Sequence, residues 1–156
     1  MDLSNQEIFQ IIQTATLIVA VFVAWCSINK QRDTTKKDKT ISLLMKDLED
    51  DFLKSGMQTL LKVHNNEDDD VAIYANSAHK NDENAIAIRN LLNYYENISV
   101  GVGSNIYDVE MIKKSQKTMI LSIYKQSKPF ITRLREQNKN PNLYIEFERF
   151  VEILNG

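Results

Sequence analysis

The sequence predicts an all-α protein: one N-terminal transmembrane helix followed by a compact cytosolic bundle of about five helices. Three observations carry this expectation. Ile8 to Ile28 is a run of 21 residues without a charge. Beyond Thr40 the apolar residues recur at helical rather than strand spacing. Glycine and proline are scarce, with 4 and 2 copies, while Ile, Leu, Lys, Glu, Gln and Asn are plentiful.

The apolar run comes first. At about 1.5 Å per residue, 21 residues reach roughly 30 Å, the thickness of a bilayer core. A cleaved signal peptide needs a positive leader and small residues at the cut. Here the leader is Met1 to Glu7, with acids and no Lys or Arg. Bulky Trp25 spoils the faint cleavage pattern before Cys26. A retained membrane helix is therefore expected. A soluble core helix is the competing reading, because Gln10, Gln13, Thr14 and Thr16 dilute the first half. Lys30, Arg32, Lys36, Lys37 and Lys39 follow the run, and positive flanks stay cytoplasmic. The expected placement is a bacterial inner membrane, crossed once, N-terminus outside. The Asn97-Ile98-Ser99 sequon would then carry no meaning. Gln13, Thr16, Ala20, Ala24 and Ser27 recur at steps of three or four, a small and polar stripe that suits helix packing in a membrane. The bland alternative is a mixture that lipid tolerates.

Three segments follow: an anchor over 1–28, a charged link over 29–39, and a helical ligand-binding domain over 40–156. The link could be flexible or could continue the membrane helix. Ile41, Leu44, Met45, Leu48 and Phe52 mark one face of the next helix. Gly56 weakens it, and Met57, Leu60, Leu61 and Val63 extend it. His64 to Asp70 is a polar, acidic break, read as a solvated loop; it lacks the spacing and glycine of a calcium loop. Val71 to Ala78 is assigned a short helix. Asn81 to Asn84 caps a central helix in which Ile86, Leu91, Tyr94, Tyr95, Ile98 and Val102 crowd more than one face. Asp108 caps a helix to about Ser127. Pro129 interrupts it, and a further helix holds Phe130 to Gln137. The last helix, Leu143 to Leu154, turns Phe147, Phe150, Val151 and Leu154 inward.

Net charge is −2, which selects no class of partner. The distribution is more informative. Met111 to Arg135 contains no acid and seven cations. Lys113, Lys117, Lys128, Arg133 and Arg135 are candidates to hold phosphates, with Tyr124 or Tyr107 stacking on a base. The patch is modest, so a compact phosphorylated ligand suits it better than DNA or any long nucleic acid. Internal pairing with the acidic helices, or a solvated face, is the plainer account.

Catalytic patterns are missing. There is no His-x-x-x-His pair, nucleophile elbow or phosphate loop, and one cysteine cannot build a thiolate zinc site. No enzyme activity, metal or cofactor is expected. Glu96, beside Tyr94 and Tyr95, reads as a satisfied structural carboxylate rather than a general base.

The stretches "NLLNYYENISVGVGSNIYDVEMIKK", "PFITRLREQ" and "LYIEFERF" resemble a broad family of small prokaryotic proteins with one N-terminal membrane helix and an uncharacterised helical cytosolic domain. The layout is also similar to the Csx-type membrane effectors of type III CRISPR systems. That second resemblance implies antiviral defence without catalysis. The cytosolic domain would bind a cyclic oligoadenylate, cyclic tetra-adenylate above others, at the interface of a homo-oligomer, a tetramer among the sizes considered. The membrane segment would then perturb the bilayer. A membrane-tethered protein-interaction module that binds no nucleotide is the alternative.

Overall fold

Ser4 opens the longest helix. Its hydroxyl accepts the Glu7 N–H and the Glu7 carboxylate accepts the Ser4 N–H, a reciprocal capping box. In the computed structural model, which describes residues 4–66 and 70–156 with the side chain of Leu48 excepted, this helix runs unbroken as α1 from Asn5 to Glu49. Four helices follow: α2 (Asp51–His64), α3 (Glu83–Gly103), α4 (Val109–Asn138) and α5 (Ile145–Asn155). The fold is all-α, and no strand occurs among the described residues.

The first half of α1 packs against none of the other described residues. Its most apolar window has a mean hydropathy of 2.1, and none of it is buried. Leu17 and Val21 are about two-thirds exposed. This helix is long and apolar enough to cross a membrane, and it is not the core helix of the bundle. Thr14 and Thr16 return their hydroxyls to the carbonyls of Gln10 and Ile12, at 2.9 and 2.8 Å. Those polar groups are satisfied within the helix, which makes them tolerable in hydrocarbon. Residues 29–39 continue the same helix, so neither end of that link shows a break.

Beyond residue 39, α1 reverses the expected face. Ile41, Met45 and Phe52 are exposed and Leu44 is half-buried, while Thr40 and Asp47 are buried. Thr40, Leu43 and Asp47 share the inward face at i, i+3 and i+7. The polar pair turns inward because each finds partners there. The Thr40 hydroxyl accepts the Asp108 N–H at 2.8 Å, and Asp47 accepts from the Tyr94 hydroxyl and, at 3.0 Å, from the Gln116 amide.

Asp50 ends α1 and caps α2, accepting the N–H groups of Phe52 and Leu53 at 2.9 and 3.2 Å. The chain therefore breaks here and not at Gly56. That glycine serves close approach instead: a Cβ would meet the Ala87 carbonyl oxygen and the Leu91 Cβ at 3.2 Å. Of the acidic segment, Glu67, Asp68 and Asp69 lie outside the described residues. Val71–Ala75 and Ser77–His79 form two 3₁₀ turns rather than the assigned helix, the first started by the Asp70 side chain.

The core lies among α2, α3, α4 and α5, with α3 central. Leu60, Ile88, Leu92, Ile120, Phe130, Phe147 and Leu154 are fully buried. Ile86 is exposed, so α3 instead faces inward with Ala85, Ile88, Leu91, Leu92, Tyr95 and Ile98. Pro129 does not divide α4. Its missing N–H leaves the Lys125 carbonyl without a helical donor, but both residues are on the exposed face and water can serve that carbonyl. Phe130, Ile131 and Leu134 hold the other side in the core. The inward set expected for α5 (Phe147, Phe150, Val151 and Leu154) is buried as read.

Candidate functional site

The seven residues singled out as ligand contacts fall in four places. Lys113 and Lys117 are one turn apart near the start of α4. Lys128 and Arg133 lie near its other end, beside Pro129. Lys113 and Arg133 are 20 residues apart, roughly 30 Å along the helix. A compact ligand cannot touch both ends within one chain.

Tyr124 and Arg135 are committed to a structural cluster. The Tyr124 hydroxyl donates to Glu148 at 2.6 Å, and the Arg135 guanidinium pairs with the other carboxylate oxygen at 2.9 Å. Arg135 also donates to the Leu143 carbonyl at 2.8 Å. The Tyr124 bond, and then Arg135, hold the Glu148 carboxyl below its usual range against the effect of burial. A depressed carboxylate stabilises the fold above its unfolded value of 4.5 and loses that contribution as pH falls through the lower folded value. Glu148→Gln keeps an acceptor for Tyr124 but loses the charge. It should cost about 1 kcal/mol at neutral pH. Urea midpoints should show that cost shrinking below about pH 4.5. A difference that does not change with pH would refute this account.

Tyr107 lies against the backbone of Gly101, where any Cβ would collide with its ring. It also borders a shallow groove beside α1 with Lys39, Leu43 and Lys46. Arg133 donates to Asn76 at 3.2 Å and pairs loosely with Glu136 at 3.4 Å. Glu96 fulfils the structural reading. Its carboxylate accepts the N–H groups of Glu146 and Phe147, at 3.3 and 2.7 Å, and so caps α5.

Lys113 and Lys117 keep their charges unpaired among the described residues. Both line an open groove of about 530 Å³ between α2 and α4. Met57, Leu61 and Met119 supply its apolar surface, with Gln116 and Gln126 as amides. Gln116 connects this groove to α1, because its amide is the donor that Asp47 accepts. Burial raises the Asp47 pKa, and the Gln116 bond pulls it the other way. Tyr95 is fully buried nearby; burial, and then the Asp47 charge, push its hydroxyl pKa upward.

Asp47, Gln116 and Thr40 were missed by sequence reasoning. Asp47 sits in an ordinary charged run, and its only signal is the i, i+7 spacing to Thr40. Gln13, Thr16, Ala20 and Ala24 are all exposed on α1.

Comparison with curated proteins and with solved structures found no match. A family model described as a domain of unknown function does match, over residues 11–153, spanning both the apolar half of α1 and the bundle. The chain therefore belongs to the DUF4760 family.

Proposed function

We propose that this protein is a non-enzymatic, single-span membrane effector whose bundle binds a compact phosphorylated ligand and passes that event to its anchor. The observation that carries the reading is the double role of Gln116. It lines the α2–α4 groove with Lys113 and Lys117 and holds Asp47 of α1 at 3.0 Å. A ligand oxygen that takes the N–H Gln116 gives to Asp47, rather than its second N–H, competes with Asp47. The continuous helix from Asn5 to Glu49 then carries the change toward the membrane. Switching requires that the ligand bind the two states with different affinity.

The basic flank after Ile28, with no cation before it, supports a bundle on the cytosolic side of a bacterial inner membrane. The proposed ligand is a cyclic oligoadenylate, with cyclic tetra-adenylate favoured. Met57, Leu61 and Met119 offer apolar surface to a base, and Lys113 and Lys117 offer charge to phosphates. Lys128 and Arg133 can reach the same ligand only from a second subunit. A homo-oligomer is supported further by α1. Gln13, Ala20, Ser27, Thr34 and Ile41 recur every seventh residue, the spacing of a helix–helix seam. Copies anchored in one membrane with one orientation meet in parallel.

Calorimetric titration of the full chain in detergent with cyclic tetra-adenylate tests the site. Binding selective for one ring size is expected, with fewer than one ligand per chain. Lys113→Glu with Lys117→Glu should weaken it by about 100-fold or more, from loss of charge-assisted bonds and added repulsion. Absence of binding at high micromolar ligand would sink the nucleotide reading. A second reading then leads: a membrane-tethered protein-interaction module. Ile41, Met45 and Phe52 favour it, being at least half exposed outside the apolar span. Its mark is one protein recovered at stoichiometric level.

A further inference from the structure

A groove of about 670 Å³ opens between α1 and the turn that joins α3 to α4. One wall runs from Ile28, the last residue of the uncharged stretch, through Arg32 and Lys36 to Lys39. The other wall includes Asn105 and Ile106. The turn is firmly built. Asn105 takes a left-handed φ of 58°, the Ile106 N–H donates to the Gly101 carbonyl at 2.8 Å, and Tyr107 lies against Gly101. Lys36 bridges the walls by donating to the Asn105 side chain at 2.6 Å. The neighbouring carboxylate, Asp33, is taken by Lys37 at 2.7 Å. Arg32 and Lys39 have no acidic partner among the described residues.

Position identifies the occupant. Arg32 is four residues beyond Ile28, about 6 Å along the helix, and Lys36 about 12 Å. The headgroup layer adds some 5–7 Å to each side of the hydrocarbon core. The low end of the groove therefore sits among headgroups, and Lys36 can reach down to them, whereas Lys39, about 16 Å along the helix, stands beyond that layer. Ile106 is 42% exposed and lines the same groove.

We infer that this groove binds the phosphate of an anionic phospholipid headgroup, with Arg32 and Lys36 as its cationic wall and Ile106 as apolar surface on the wall opposite. The lipid would brace the α3–α4 turn, and with it the start of α4, against the membrane. The inference rests on the anchor reading but not on any nucleotide ligand.

The test uses the full chain reconstituted in vesicles of phosphatidylcholine with or without phosphatidylglycerol. Lipid retained on the protein is then counted by native mass spectrometry. Selective retention of phosphatidylglycerol is expected. Arg32→Gln with Lys36→Gln should reduce it about thirty-fold, since a cation near an anionic surface contributes close to a factor of five. Lys30→Gln removes a charge at headgroup depth outside the groove and should reduce it no more than about five-fold. Ile106→Ser should also reduce retention, without changing net charge. A loss from Lys30→Gln as large as that from the groove pair would show a diffuse basic flank and overturn the proposal. So would equal retention of both lipids, or displacement by inorganic phosphate as effective as by lipid. Failure of the protein to float with vesicles would overturn the anchor reading itself. Floating with unselective retention would overturn the groove alone.

Discussion

Phe147→Ala is expected to cost the bundle about 3–5 kcal/mol, a large part of what a domain of this size can have. Phe147 is fully buried. Its ring stacks on Tyr95 at a centroid distance of 5.4 Å and meets Tyr124 edge-on at 5.3 Å. Its backbone N–H is the donor that Glu96 caps. Removing the ring opens a cavity where α3, α4 and α5 meet, and leaves two tyrosines without their common partner. The neighbours cannot close in easily, because Tyr124 is fixed to Glu148 and Glu96 fixes the start of α5. Urea titration of the full chain, followed by far-ultraviolet circular dichroism, reads the bundle while detergent maintains the anchor helix. Phe52→Ala is the matched control. That ring is 60% exposed, so its loss should change the midpoint by no more than about 0.5 kcal/mol. Equal effects at the two positions would mean that the aromatic cluster is not the centre of the core.

The aromatic cluster shows what the sequence can reveal. Phe147, Phe150, Val151 and Leu154 repeat at helical spacing on an otherwise polar segment, and all four are buried. The 21-residue uncharged run was equally plain, and it lies in a helix long and apolar enough to cross a membrane. Two breaks were misplaced for physical reasons. Pro129 stays inside α4 because buried Phe130 and Ile131 hold the chain on the far side from the lost bond, and tertiary packing outweighs local propensity. The break at Asp50 was overlooked because its capping role depends on backbone geometry, although the adjacent acids at Asp50 and Asp51 are a helix-start signal. The face of α1 beyond Thr40 was inverted because periodicity identifies an amphipathic helix but not which side finds a partner. Thr40 and Asp47 are inward only because Asp108, Tyr94 and Gln116 meet them, and those residues lie about 50–70 positions away. The basic run of α4 was visible as composition. Its division into separate ends, with Arg135 committed to Glu148, depends on α5 and could not be read along the chain.

Asp47→Ala is expected to release α1 from the bundle while leaving the bundle folded. Asp47 is 8% exposed and accepts from both the Tyr94 hydroxyl and the Gln116 amide. Truncation leaves two donors without an acceptor, at a cost of about 2–3 kcal/mol. Amide exchange over residues 40–49 should then quicken about 30–150-fold, with the central amides of α3 and α5 unchanged. Asp47→Asn keeps an acceptor for Tyr94 and should cost under about 1 kcal/mol. The two carboxylates of this fold also respond oppositely to acid. Burial raises the Asp47 pKa above its unfolded value of 3.8, so the folded chain holds this proton more tightly than the unfolded chain does. Its contribution is greatest below about pH 4 and is lost as pH rises through the folded value. Glu148 behaves in the reverse sense. The midpoint of Asp47→Asn relative to wild type should therefore improve from about pH 4 upward and then level off. A pH-independent difference would show that solvent, not burial, governs Asp47. Burial pulls the Asp47 carboxyl toward its protonated form, and Gln116, one of its two donors, favours the charged one. A ligand in the α2–α4 groove that takes Gln116 for itself weakens the contact between bundle and anchor at the point where Asp47→Ala removes it. The exchange pattern of residues 40–49 with bound ligand should therefore move toward that of the alanine variant.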